Sequence, residues 1–153
     1  MKSILKIADL AEMRAFTANV AQRLEGRGAV IALDGDLGSG KTTFTQALAA
    51  ALGVRRPVTS PTFTLVCEYP LPDGRRLVHM DLYRLGGASD LDALGFHEYL
   101  DSGDVVCIEW PDRAGDEIPP DAWRLHFAIG EGSEERTITA EAPIDFSAAC
   151  DGA

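Results

Sequence analysis

Apolar residues recur with two different spacings in the first third of the chain, and each spacing predicts a different element. Over 10–24 they recur at helical spacing, after the sequence DLAE at 9–12, which has the form of a helix-capping box. The continuous apolar run at 29–34 predicts a buried strand. A second helical pattern covers 44–52 and stops at Gly53. This part of the chain is therefore predicted to fold as helix, strand and helix.

The rest of the chain contains five strand-like runs and one helical segment. The predicted strands are FTLVCEY (63–69), RRLVHMDLY (75–83), DVVCIEW (104–110), WRLHFAI (123–129) and RTITA (136–140). The turn sequence PLPDG joins the first two strands as a hairpin, and GEGSEE joins the last two. The segment SDLDALGFHEYL predicts a helix that starts with Ser89 as its N-cap and is interrupted near Gly95.

A glycine-rich loop lies between the first predicted strand and the second predicted helix. Gly35, Gly40, Lys41 and Thr42 fit the P-loop pattern G-x-x-x-x-G-K-[ST]. Glycines let the backbone curl so that its amides point at phosphate oxygens, and the following helix directs its positive end to the same place. Lys41 is expected to reach the β- and γ-phosphates, and the Thr42 hydroxyl is expected to bind Mg²⁺. Because the pattern follows a buried strand and opens a helix, the sequence predicts a nucleotide site.

Two carboxylates stand at the ends of predicted strands, where ligands bind in open α/β sheets. Asp81 follows LVHM, and Glu109 ends DVVCI. Either carboxylate could hold Mg²⁺ while the other orients the attacking water. Capping or solvent-exposed carboxylates are the alternative interpretation of both.

Three further residues have two interpretations each. Ser60 and Thr62 lie in TSPTFT, where P-loop proteins carry a switch loop, but a proline turn with capping hydroxyls would use the same residues. His79 shares its strand face with Asp81 and could reach the site, or it could be a packed core histidine.

Composition narrows the class of protein. A chain of 153 residues is long enough for one domain with a proper core, and no run reaches the length of a membrane span. We therefore expect a cytoplasmic protein that does not bind membranes. The three cysteines show no metal-like spacing and are expected to be reduced. A net charge of −10 disfavours direct binding of nucleic acid, so another subunit would have to carry any RNA.

Together these features predict an α/β protein with a P-loop NTPase-like three-layer fold around a mixed, mostly parallel central sheet. We expect residues 1–142 to form a single P-loop ATPase domain and residues 143–153 to form a short, acidic, frayed tail.

Four stretches in order, GDLGSGKTTF, SPTFTLV, HMDLYRL and IEWPDR, resemble the TsaE family, and the resemblance covers about 9–136. Members of this family are P-loop ATPases of bacterial tRNA threonylcarbamoyladenosine synthesis. The resemblance implies ATP and Mg²⁺ as cofactors, with slow hydrolysis by the isolated chain. It also implies two partners, a TsaD-type transferase subunit and its TsaB-type paralogue. The complex modifies the adenosine beside the anticodon in tRNAs that read codons beginning with A, so tRNA is reached only through the complex.

The resemblance also assigns roles to residues. It implies Lys41, Asp81 and Glu109 as catalytic residues, and Thr42 and Glu109 as metal ligands. The implied nucleotide contacts are Leu10, Leu37, Gly38, Ser39, Gly40, Lys41, Thr42, Thr43, Ser60, Thr62 and Arg136.

Three other functions use the same loop. A small-molecule kinase would need an acceptor pocket and usually an arginine-rich lid, whereas the arginines here are scattered. A GTPase usually selects guanine with an [NT]-K-x-D motif, which cannot occur because lysine is found only at positions 2, 6 and 41. A binding module with a vestigial loop is disfavoured by the intact pair Lys41 and Thr42.

Overall fold

A computed structural model describes residues 2–59, 65–132 and 134–142 and arranges them as one seven-stranded sheet with helices on both faces. The strands are β1 (Lys2–Ile7), β2 (Ala29–Gly35), β3 (Val66–Pro70), β4 (Arg76–Asp81), β5 (Val105–Glu109), β6 (Trp123–Ile129) and β7 (Arg136–Glu141). The α-helices are α1 (Leu10–Arg23), α2 (Lys41–Leu52), α3 (Ala88–Leu94) and α4 (Phe96–Leu100), and a 3₁₀ helix spans Pro111–Glu117.

The sheet is parallel in its centre and antiparallel at both sides. Its strand order is β1-β7-β6-β2-β5-β4-β3. β6, β2, β5 and β4 are parallel neighbours, whereas β1, β7 and β3 join through antiparallel pairs. The prediction of a mixed, mostly parallel sheet is therefore confirmed, and so is the hairpin of β3 and β4. The carboxyl ends of the four central strands meet at one edge of the sheet.

Two apolar clusters, one on each face of the sheet, make the molecule three-layered. On one face Phe16 of α1 and Phe44 of α2 pack against the sheet, and on the other face Leu91 of α3 and Phe96 of α4 do so. Every residue of β5 is buried, as expected for a continuous apolar run at the centre of a parallel sheet.

The structure differs from the sequence-based expectations at three elements, one of which is the unpredicted 3₁₀ helix at Pro111–Glu117. β1 was not predicted, although Leu5 and Ile7 are buried while their neighbours along the strand are exposed, which is the alternation of a half-buried strand. The helix expected to begin at Ser89 instead begins at Ala88 with Gly87 as its N-cap, so that prediction is wrong. The interruption near Gly95 is confirmed, because this glycine separates α3 from α4 with φ of 77°.

Other expectations hold locally. The Asp9 carboxylate accepts a hydrogen bond from the Glu12 amide at 3.0 Å, which caps α1 as the sequence DLAE predicts. Cys67 and Cys107 are free thiols, and burial raises the pKa of Cys107 to about 12. Among the described residues no helix is both long and apolar enough to cross a membrane. The tail predicted at 143–153, which includes Cys150, lies outside the described residues.

Candidate nucleotide site

The glycine-rich loop leaves β2 and enters α2 at the edge of the sheet where the central strands end. Gly35 closes β2 with φ of 146°, and a Cβ there would lie 2.6 Å from the Phe127 carbonyl oxygen and 2.7 Å from Ser39 Oγ. Gly40 precedes α2 with φ of 109° in the left-handed region. Only glycine fits this path without strain, so the sequence forces the loop to curl around the helix N-terminus.

Lys41 opens α2 and lies beneath this loop with 4% of its surface exposed. Its Nζ donates a hydrogen bond to the Gly35 carbonyl oxygen at 2.6 Å and sits 3.8 Å from the centroid of the Trp110 ring. Burial lowers the pKa of Lys41, and the negative charges of Glu109 and Asp81 act in the opposite direction. The Lys41 side chain is therefore desolvated and is held beneath the loop by its hydrogen bond to the Gly35 carbonyl oxygen.

Glu109, at the end of β5, connects the loop helix to the centre of the sheet. Its Oε2 lies 3.1 Å from the Thr42 hydroxyl, which donates to it, and 2.5 Å from His79 Nε2. The glutamate is 4% exposed and His79 is fully buried. A buried carboxylate is costly unless hydrogen bonds satisfy it, and these two side chains provide them.

Asp81 ends β4 directly beside Glu109, since the two residues are partners in the parallel register of β4 and β5. Burial raises the pKa of Asp81, and the nearby Glu109 charge adds to this effect. The Tyr83 amide, which donates to Asp81 Oδ1 at 3.0 Å, opposes the shift. The register thus brings two carboxylates to the same edge, as the positions of the strand ends predict.

The donor set in front of the loop suits a magnesium ion that is shared with phosphate groups. The Thr42 hydroxyl and the carboxylates of Glu109 and Asp81 offer oxygen atoms, which Mg²⁺ prefers. Within the described residues no group of three or more His, Cys, Asp or Glu side chains could hold a metal by itself. Mg²⁺ usually keeps several waters and takes only one or two carboxylates together with substrate phosphates.

A pocket of about 240 Å³ adjoins the loop on the side of α1. Its lining residues include Leu10 and Met13 of α1, Thr43 of α2 and Arg136 of β7. The Arg136 guanidinium also donates to the Gly38 carbonyl oxygen at 3.2 Å. The fold therefore brings Leu10 and Arg136 together beside the loop, and their contact with nucleotide stays a prediction.

Of the remaining residues predicted to contact nucleotide, some lie in the glycine-rich loop and two lie outside the described residues. Leu37 is 72% exposed at the loop, whereas the Ser39 hydroxyl is buried and has no hydrogen-bond partner among the described residues. A buried hydroxyl at this position offers a hydrogen bond that a phosphate oxygen could accept. Ser60 and Thr62 lie outside the described residues.

Sequence patterns did not reveal two contacts of the site. The bond between His79 and Glu109 depends on the parallel register of two strands that are 30 positions apart. The contact of Lys41 with Trp110 depends on a left-handed backbone at Trp110, with φ of 57°, that no local pattern signals for a non-glycine residue. For His79, its position two residues before Asp81 was the available signal.

Comparison with known proteins gives one consistent answer. The family model described as "Threonylcarbamoyl adenosine biosynthesis protein TsaE" matches residues 7–138. A Bacillus subtilis relative is 44% identical over 114 residues, 73% of this chain and 68% of its own length. A Streptomyces coelicolor relative is 40% identical over 127 residues, with coverage of 80% and 84%. Both are named tRNA threonylcarbamoyladenosine biosynthesis protein TsaE.

A solved structure extends the similarity to the whole fold. The crystal structure of YdiB from Bacillus subtilis superposes with a TM-score of 0.72 at 31% sequence identity, covering 99% of this chain and 93% of YdiB. The family match, the two relatives and this structure agree with one another. The chain belongs to the TsaE family.

Proposed function

We propose that this chain is the magnesium-dependent ATPase of tRNA threonylcarbamoyladenosine biosynthesis, the pathway for which its relatives are named. The observation that carries the proposal is the convergence of Lys41, Thr42 and Glu109 at the mouth of the glycine loop. The protein acts in the cytoplasm with a TsaD-type transferase subunit and a TsaB-type paralogue. Its net charge of −10 supports a role in which tRNA is held by those partners.

We assign a separate chemical role to each group of residues at the site. The loop amides and Lys41 bind the β- and γ-phosphates, and the pocket beside Leu10 and Arg136 takes the nucleoside. Glu109 is assigned to the metal together with Thr42, because those two side chains already touch. Bound Mg²⁺ supplies neutralisation of the charge that develops on the phosphate oxygens. Asp81 is left to orient the attacking water, and its raised pKa suits a group that holds a proton transiently.

No observation favours the alternative of a small-molecule kinase. A cavity of about 670 Å³ is present, but Gly28 and Ala29 before and at the start of β2 and Trp123 at the start of β6 line it. It therefore lies at the opposite edge of the sheet from the glycine loop and cannot present an acceptor to the phosphates.

The proposal predicts distinct losses for two variants. Lys41→Ala should weaken binding of Mg²⁺ and a non-hydrolysable ATP analogue about tenfold or more, because a charge-assisted contact is removed. Glu109→Gln should keep metal-free nucleotide binding but lose hydrolysis. In a complex reconstituted with both partners and tRNA, neither variant should support repeated modification cycles. Calorimetry and counting of modified tRNA per complex measure these effects.

Lys6→Ala and Glu98→Gln are matched controls, since both side chains are exposed and neither lies at the loop. They should behave as the unmodified protein. If the folded, purified chain takes up no adenine nucleotide in the presence of Mg²⁺, or if it prefers guanine nucleotides in competition, the proposal is wrong. Transfer of phosphate to a metabolite instead of water would favour the kinase.

A further inference from the structure

His79 is a fully buried polar side chain that makes one hydrogen bond to the described residues. Its Nε2 lies 2.5 Å from Glu109 Oε2, and its Nδ1 has no hydrogen-bond partner among the described residues. A histidine that merely filled the core would gain by satisfying both nitrogens, because an unpaired buried polar atom is costly. Here the imidazole instead makes its hydrogen bond to Oε2 of Glu109 alone.

We propose that His79 is a positioning residue that fixes the Glu109 carboxylate in the orientation in which it faces Thr42 and the glycine loop. The inference rests on the proposed function of the site, in which Glu109 and Thr42 serve Mg²⁺. His79 itself touches neither metal nor nucleotide in this scheme. Its Nε2–H donates the hydrogen bond, since a carboxylate can only accept.

The strand geometry explains how His79 reaches Glu109. His79 lies two residues before Asp81 on β4, so both side chains project from the same face of the sheet. In the parallel register Asp81 pairs with Glu109 and His79 pairs with Cys107, which places His79 one step deeper than the carboxylate. The imidazole therefore approaches Glu109 from within the core.

Two rigid elements then hold the carboxylate from different sides. Thr42 reaches Glu109 from the first turn of α2, and His79 reaches it from β4. A glutamate has three side-chain torsions and would lose its fixed orientation without such supports. Groups that orient a metal ligand in this way typically change metal affinity or activity about 10- to 100-fold when they are removed.

The test measures how much Mg²⁺ improves the affinity for a non-hydrolysable ATP analogue, by calorimetry with and without the metal. In His79→Leu this Mg²⁺-dependent gain should fall about tenfold or more, while affinity without metal stays unchanged. His79→Gln should recover most of the gain, because its amide can reach the position of Nε2. His79→Asn has the same amide on a shorter side chain and should not recover it.

Leu77→Ala is the matched control for damage to the core. Leu77 is fully buried on the same face of β4, two residues before His79. This variant should lower the melting temperature but keep the Mg²⁺-dependent gain. If His79→Leu keeps the gain, or if Leu77→Ala loses it equally, the inference is overturned and the proposed function survives.

If His79→Leu does not fold, the comparison of His79→Gln with His79→Asn still tests the inference. Equal Mg²⁺-dependent gains in His79→Gln and His79→Asn would then overturn the positioning role. An unmodified chain whose nucleotide affinity does not respond to Mg²⁺ would overturn both the inference and the function on which it rests.

Discussion

Gly35 is the residue at which strand, loop and neighbouring strand meet. Its carbonyl oxygen accepts the hydrogen bond from Lys41, and its Cα faces the backbone of Phe127 on β6 with no space for a side chain. The position therefore combines a backbone conformation that favours glycine with a close approach between two strands. One residue serves both the stability of the sheet and the geometry of the site.

We expect Gly35→Ala to lower the free energy of unfolding by about 2 kcal/mol or more, since strain and overpacking add. Gly74→Ala is the matched control: its φ is 92°, but a Cβ there would meet nothing within 4 Å. It should cost only about 1 kcal/mol, the penalty of a left-handed backbone. Urea denaturation measures both, and equal losses would contradict this account of Gly35.

Among the elements, the amino ends of β4 and β5 are joined by one arginine. The Arg76 amide and Nε donate to the two oxygens of Asp104, at 2.9 and 2.8 Å, and its guanidinium also pairs with Glu68 of β3. Asp104 is 9% exposed, whereas Glu68 is far more open to solvent. The contact with Asp104 is therefore the stronger of the two.

Asp104→Asn should reduce the free energy of unfolding by about 2 kcal/mol at pH 7, and Glu68→Gln by less than about 0.5 kcal/mol. Burial alone would raise the pKa of Asp104, but hydrogen bonds from Arg76 outweigh it and hold the pKa below its usual value. Because the folded-state pKa is the lower one, this stability is present above about pH 4 and is lost as the pH falls through the folded value.

Unfolding curves at several pH values check this prediction. The difference between Asp104→Asn and the unmodified protein should shrink in acid. A difference that grew on acidification would show that the carboxylate is not stabilised by Arg76.

At the scale of the whole molecule, the site has few cations to complement a triphosphate. Lys41 lies under the loop, Arg136 is engaged with the Gly38 carbonyl, and the Arg113 guanidinium lies 5.7 Å from the centroid of the Tyr83 ring. Phosphoryl transfer is accelerated about 10³- to 10⁵-fold when an arginine finger is supplied. We therefore expect a partner subunit to supply an arginine finger to this site.

The isolated chain should therefore hydrolyse ATP slowly, and addition of the two partner subunits should accelerate turnover. Phosphate release at saturating ATP, with the chain alone and in the assembled complex, measures the ratio. Lys41→Ala in the same complex controls for contaminating activity and should abolish the increase. Equal turnover by the free and assembled chain would contradict the prediction.

How far the sequence predicted this molecule depended on the range of the interactions. The glycine loop and its helix are encoded by adjacent residues, so the motif placed them correctly. Glu109 and Asp81 were predicted because each is a charged residue that directly follows a mostly apolar run, which marks the end of a buried strand. By contrast, the bond from His79 to Glu109 requires knowledge of which strands pair, and no periodicity contains that information.

β1, the strand at one edge of the sheet, was missed although the signal for it is local. β1 carries a regular alternation of exposed and buried residues, but its sequence KSILKI has no apolar run longer than two residues. Its buried residues Leu5 and Ile7 belong to the core cluster on one face of the sheet, beside its partner strand β7.

The neighbourhood of β1 and β7 has a consequence for synthesis of the protein. A ribosome makes β1 before every other strand, yet its partner in the sheet is made after all the others. β1 therefore has no neighbour to pair with in the sheet until β7 has been synthesised. Because Leu10 of α1 and Arg136 of β7 line the same pocket, a nascent chain cannot complete the pocket beside the loop until β7 is free to fold.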